Sequence, residues 1–280
     1  MKTARIVLNY LLFGNIYIAF GAVLLSMHSS LYFSKIIHPV ILTFIFFSTI
    51  SSYNLHSYFH PLGSSLSERF DWIGRNKGVL LISLIITSVI SLLALSAISS
   101  LWEWILPLAV LTLLYSMPRI FPSTNKLLNP IQYLKAFYLA FVWTFVTVIL
   151  PLNVDIPGIS SEWGIFLLNR YVFILQVCLL FDYRDWYLMK PELRKSALKR
   201  LDERNFNVLF YIVFSATLLS AMLLLLLNYN LKNFLSIFIA ELFMFMVFRK
   251  SRNSKSDYWY SIAVDGILMI PAILLLLFKI

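Results

Sequence analysis

Nine apolar stretches, each of roughly 17–24 residues and so long enough to cross about 30 Å of hydrocarbon as a helix, follow one another along the 280-residue chain. They fall near 8–27, 38–55, 77–97, 100–117, 128–151, 163–181, 207–228, 231–248 and 258–278. Hydrocarbon offers no partner to backbone N–H and C=O groups, so stretches of this kind fold as helices. The expected fold is all-α: one domain over residues 1–280, built as a bundle of nine transmembrane helices. Composition agrees, since charged residues make up 13% of the chain against about a quarter in a soluble domain.

Orientation follows from where the charge sits. With the N-terminus inside, eighteen of the 23 Lys and Arg fall on the cytoplasmic side and three outside, leaving Lys135 and Arg170 within spans. Cytoplasmic loops are the ones that collect Lys and Arg. The chain is therefore expected to lie N-in and C-out in the cytoplasmic (inner) membrane, with its polar mouth toward the cytoplasm. The net charge of +10 then reflects topology and attraction to anionic lipids or substrates, and no nucleic-acid partner is expected.

The first stretch follows Lys2 and Arg5 but runs past signal-peptide length without a small-residue cleavage site, so it is expected to be a retained span. The single cysteine, Cys178, excludes an internal disulfide. No P-loop, zinc-site or nucleophilic-triad signature occurs. Of the four histidines, His56 and His60 are four apart and can share a helix face, a weak pointer to metal.

The sixth stretch ends in Leu179-Leu180-Phe181-Asp182-Tyr183-Arg184-Asp185. Asp182 and Asp185, three apart, lie on one helical face. Two adjacent carboxylates suit a hard cation such as Mg²⁺; equally, they can be solvated acids balancing Arg184 and the basic run behind it. Asn15, Lys135, Glu241 and Asp265 lie at a similar depth, below a mouth formed by Asn54, Arg119, Asp182 and Asp185. Ionisable residues inside spans face the bundle interior or a polar cavity. Lys135 either pairs with Glu241 or Asp265, or faces a cavity open at the mouth. Asn15 is expected to bond to a neighbouring helix, and Arg170 to snorkel outward. The segment 66–77 alternates charge with aromatics and predicts a short amphipathic helix at the interface. Pro118, in Tyr115-Ser116-Met117-Pro118-Arg119, is expected to stop its helix.

With polar loops after spans two and six, the chain resembles the UbiA superfamily of intramembrane prenyltransferases along essentially its whole length. Phe181-Asp182-Tyr183-Arg184-Asp185 is similar to the family's second Asp-rich motif, D-x-R-D-x-x-x-D. Tyr115-Ser116-Met117-Pro118-Arg119 is similar to its Tyr-x-x-x-Lys motif, with Arg for Lys. Lys135 with Phe141-Val142-Trp143-Thr144, and Asp265-Gly266, also look like family positions.

The resemblance implies transfer of an isoprenyl group from a prenyl diphosphate to a lipophilic, often aromatic, acceptor. Asp182 and Asp185 would bind Mg²⁺. Arg119, Lys126, Arg184, Lys135 and Tyr115 would contact the diphosphate, Asn54 would orient the cluster, and Asn15, His56, His60, Glu241 and Asp265 would line the cavity. The sequence departs from the family at the first motif, N-D-x-x-D-x-x-x-D. In the frame of Asn54 its carboxylate positions hold Leu55, Tyr58 and Leu62, and the last Asp of the second motif is Met189. The emptied first motif leaves a second reading, an inactive family member that binds lipid or scaffolds a membrane complex. A third is a transporter of small solutes built on Lys135, Glu241 and Asp265.

Overall fold

The computed structural model describes residues 2–59, 67–98, 101–120, 134–152, 160–188, 203–254 and 256–279. Among them there is helix and no strand. The helices are α1 (Lys2–Phe13), α2 (Ile16–Tyr32), α3 (Pro39–Tyr58), α4 (Glu68–Arg75), α5 (Lys77–Ser96) and α6 (Trp102–Ile120). They continue with α7 (Lys135–Leu152), α8 (Ser161–Leu188), α9 (Glu203–Asn228), α10 (Leu231–Ser251) and α11 (Asp257–Phe278). Six helices, α5 and α7 to α11, are each long and apolar enough to cross a membrane, and a bent pair, α1 with α2, makes a seventh when counted as one span. This is a membrane protein. α3 has the length, at 20 residues, but Ser51, Ser52, Asn54 and His56 lower its apolarity, and the apolar part of α6 is shorter, Trp102–Met117.

The first apolar stretch is not one straight helix. It breaks at Gly14-Asn15, where α1 and α2 meet at a bend of 52°. Asn15 takes φ 65°, ψ 16°, a left-handed conformation that Asn tolerates better than most residues. A Cβ on Gly14 would stand 2.3 Å from the Tyr10 carbonyl oxygen, so only glycine allows the chain to turn there. α3 begins with Pro39 in its first turn, where the missing N–H costs nothing. Pro118 does not stop α6, which among the described residues continues to Ile120. The amphipathic α4 forms as its charge pattern predicts, with Trp72 and Ile73 buried.

α3 packs on α5, α8 on α7 and α9, α10 on α9 and α11, and α2 on α3, α7 and α11. The main core lies between these faces, around Leu25, Ile45, Ala140, Leu179, Met244 and Val264. Phe210 and Phe248 stack with ring centroids 3.9 Å apart. Many large apolar side chains of α5 and α9 point outward, Ile82, Leu92, Leu93, Leu219 and Leu226 among them. Outward leucines suit hydrocarbon surroundings and would be costly in water. α7 and α11 are interrupted by π-helical turns at Phe145–Ile149 and Tyr260–Val264, and the second is followed by a 3₁₀ turn at Ile267–Met269. Such turns leave carbonyls free for side chains and concentrate at functional sites. The Tyr17 hydroxyl takes one of them, the Ile262 carbonyl, at 3.2 Å.

Candidate functional site

The helix break, the start of α7, the end of α8, α4 and the start of α11 meet at one end of the bundle. A continuous polar network joins them. Asn54, in the last turns of α3, donates to Ser83 Oγ of α5 at 3.0 Å and accepts from the Asn15 amide at 2.8 Å. Asn15 Oδ1 in turn accepts from Arg69 Nη2 at 2.9 Å. Asp257 binds the backbone N–H of Arg69 at 3.1 Å and the Ser67 hydroxyl at 2.7 Å, which anchors the start of α4 to α11.

Arg184 carries the network across to the acids. Its Nη1 lies 3.3 Å from Asp257 Oδ1, and its Nε and Nη2 both donate to Asp185 Oδ1, at 3.2 and 2.8 Å. The guanidinium lies over the rings of Phe181 and Tyr260, 5.0 and 5.1 Å from their centroids. These aromatic faces replace part of the hydration it loses. Lys135, the first residue of α7, forms an ion pair with Asp182 and stands 3.6 Å from Asp185 Oδ2. The ammonium therefore bridges the two carboxylates.

The spacing argument holds: Asp182 and Asp185 share a face and reach one object. Asp182 is not a solvated acid, since it is only 3% exposed; both acids pair with Lys135, and Asp185 pairs with Arg184 as well. Equally, Lys135 does not pair with Glu241 or Asp265. Burying such charges is tolerated only where partners offset the lost hydration. Here each cation has a partner: Lys135 has Asp182 and Asp185, Arg184 has Asp185 and Asp257, and Arg69 has the Asn15 amide oxygen. Burial lowers the Arg69 pKa below its ordinary value, and the like charge of Arg184 adds to the shift, while Asp265 and Asp257 oppose it.

Asp265 lies within electrostatic reach of Arg69 and Arg184 and, among the described residues, makes no ion pair with either. It sits between the π and 3₁₀ turns of α11 and is half-buried. A Cβ on Gly266 would meet the Tyr17 hydroxyl at 2.7 Å, so glycine at that position lets α2 approach the Asp265 turn. Tyr53 bonds to Trp143 of α7 at 3.2 Å on the same side of the bundle.

Other expected site residues stand elsewhere. His56 stacks on Tyr115 and Tyr115 on Tyr138, with centroids 4.9 and 6.0 Å apart. Glu241 is fully buried against Gln176, whose amide also donates to Thr217, both at 2.7 Å. It is a partner in a helix-to-helix polar contact, away from Lys135. Lys126, His60 and the side chain of Arg119 lie outside the described residues, as does Met189. Arg170 does not snorkel outward. It is 3% exposed and donates to His28 Nδ1 at 2.6 Å and to Ser29 Oγ at 3.3 Å. His28 binds Ser236 through Nε2 at 3.1 Å. Neutral acceptors on α2 and the Phe166 ring, whose centroid lies 5.2 Å from the guanidinium carbon, hold the side chain inside.

Sequence reasoning missed Arg69, Asp257, Ser67 and Ser83. Asp257 carried a signal, as an acid at the mouth of the last apolar stretch; Ser67 and Ser83 carried none.

As a metal site the donor set is small. Asp182 and Asp185 converge on one cationic point, now held by the Lys135 ammonium. No group of three or more His, Cys, Asp or Glu side chains suited to a metal occurs among the described residues. The pair fits one hard cation completed by water or ligand oxygens. Three cations along one network also suit an anionic head group. No known protein family, no curated protein and no solved structure matches the chain.

Proposed function

We propose that the protein is an integral membrane prenyltransferase, moving an isoprenyl group from a prenyl diphosphate to a lipophilic acceptor. The observation that carries this reading is the meeting of Asp182, Asp185 and Lys135, from two different helices, beside Arg184 and Arg69 at the end of an apolar bundle. The resemblance of the Asp182–Asp185 segment and of Asp265-Gly266 to UbiA-superfamily positions points the same way. In this reading there are nine spans: the six apolar helices, the bent α1–α2 pair, α3 and α6. The network end faces the cytoplasm, where most Lys and Arg collect.

Asp182 and Asp185 would hold one Mg²⁺, which when bound neutralises charge on the departing diphosphate. Lys135, together with Arg184 on Asp185, balances the two carboxylates in the resting chain and is placed to turn onto a diphosphate oxygen. Arg184 and Arg69 supply further positive charge toward the leaving group. Arg119 and Lys126 follow in sequence from the resemblance as further diphosphate contacts. The apolar bundle shields the allylic cation left behind from water. The acceptor attacks that carbon and loses a proton, for which the base is Asp265, within electrostatic reach of Arg69 and Arg184 and without an ion pair among the described residues.

The test uses purified protein in detergent with labelled prenyl diphosphates of several chain lengths and Mg²⁺. Diphosphate release that falls at least about 100-fold in Asp182→Asn is expected, a loss typical of a group acting on developing charge. Neither binding nor release with any chain length would overturn the reading. A second reading, a lipid-binding or scaffolding subunit without chemistry, is favoured by the Lys135 ammonium already occupying the point the two acids share. A stoichiometric membrane partner, with Asp182→Asn and Asp185→Asn silent in the cell, would support it.

A further inference from the structure

Beside the network, α1, α4 and the start of α11 line a polar cavity of 670 Å³, within the range of about 300–1,000 Å³ common for small-molecule sites. We infer that this cavity binds the phosphoethanolamine head group of a membrane phospholipid.

Placement is the first argument. The cavity is lined by Asn76, which immediately precedes the span Lys77–Ser96, and by Tyr258, the second residue of the span Asp257–Phe278. Two apolar spans thus begin at its level, which is the level of lipid head groups. α1 is split lengthwise to match. Arg5, Asn9, Tyr10 and Phe13 face the cavity, while Val7, Leu8 and Leu11 on another face are exposed. This part of the bent α1–α2 pair, with Val7, Leu8 and Leu11 outward and Arg5, Asn9 and Tyr10 on the cavity beside Ile6 and Phe13, has the two-faced character of a segment at the interface.

Charge is the second argument, and it selects the head group. The lining holds two cations and two anions. Arg5 and Glu68 satisfy each other at 3.4 Å. The remaining two do not. Arg75 uses only its Nε, on the Asp71 carbonyl at 3.3 Å, and neither Arg75 nor the Asp71 carboxylate has an ion-pair partner among the described residues. They stand four apart on α4, the spacing at which such a pair usually closes on itself. An unclosed cation and an unclosed anion side by side suit a zwitterion: phosphate on the Arg75 guanidinium, primary ammonium on the Asp71 carboxylate. Tyr10 and Trp72, edge to face at 5.2 Å, form an aromatic wall that also favours the ammonium. A purely anionic head group would leave Asp71 facing like charge, and a choline would bring no N–H to it.

The full chain is reconstituted in nanodiscs of phosphatidylethanolamine, phosphatidylcholine and phosphatidylglycerol in equal parts. It is then extracted, and retained lipid is quantified by mass spectrometry. Two exposed charge contacts lead to an expected enrichment of phosphatidylethanolamine of about five-fold over the bulk. Arg75→Ala and Asp71→Ala should each bring it toward the bulk ratio at an unchanged thermal midpoint, both side chains being exposed. No enrichment, enrichment of phosphatidylglycerol instead, or enrichment that survives both substitutions overturns the inference. Soluble phosphoethanolamine is the second arm. Displacement of the retained lipid supports a site satisfied by the head group alone, and failure to displace it supports one that needs the lipid in its bilayer.

Discussion

Asn15 donates its side-chain amide to Asn54 at 2.8 Å, and this hydrogen bond ties the break between α1 and α2 to the end of α3. The same Asn15 holds the left-handed backbone and accepts from Arg69. One residue thus turns the chain, joins two helices and fixes the side chain of a third.

Asn15→Ala therefore loses more than one contact. It removes one buried and one part-buried hydrogen bond and a favourable left-handed residue, for a cost of about 2–4 kcal/mol. The thermal midpoint in detergent should fall accordingly. Asn54→Ala should fall by less, and the double variant by clearly less than the sum. Strict additivity would mean that the two amides do not act as a pair.

Lys135→Met should destabilise the chain by about 2–4 kcal/mol, because it removes the Lys135 charge from beside the buried Asp182. The paired change Lys135→Met with Asp182→Leu should return stability to within about 1 kcal/mol of the starting protein. Chemical denaturation followed by tryptophan fluorescence would measure both. If the single variant is as stable as the parent, the ion pair is not what holds α7 against α8.

For Arg170 the expected pattern is similar but rests on neutral partners. Arg170→Met strands His28 Nδ1, and His28→Leu strands the guanidinium, at about 1–3 kcal/mol each. Both changes together remove a buried charge and its acceptor, and should restore the thermal midpoint. A double variant less stable than either single one would contradict this account.

Gly266→Ala should cost about 1–3 kcal/mol, since the new methyl meets the Tyr17 hydroxyl. Tyr17→Phe removes that oxygen, leaving the ring carbon 3.8 Å away, and should recover part of the loss in the same protein. Unfolding midpoints of the three variants decide it: no recovery would show that the strain lies in the backbone of the 3₁₀ turn.

Asp182 and Asp185 were legible as a pair because the helical period alone places residues three apart together. The amphipathic α4 was legible from its alternation of charge and aromatics. The partners were not. The sequence places Lys135 below the mouth that holds Asp182 and Asp185, whereas it pairs with both of them; its direction toward α8 comes from how α7 packs there. Arg170 was read as a surface cation because a long side chain near a span end usually escapes to water. The His28 acceptor that detains it comes from a helix 142 positions away in sequence. The 52° bend is signalled in the sequence only by Gly14-Asn15.

Apolarity and length by themselves determined that this chain is a set of lipid-facing helices, since a backbone in hydrocarbon has to satisfy its own hydrogen bonds. Period and spacing determined which polar residues share a face. Only tertiary structure decided which faces meet, because the rotation of each helix about its axis is set by packing against its neighbours. That rotation joins Asn15, Arg69, Asp257, Arg184 and Lys135 into one network, and leaves Glu241 and Arg170 outside it.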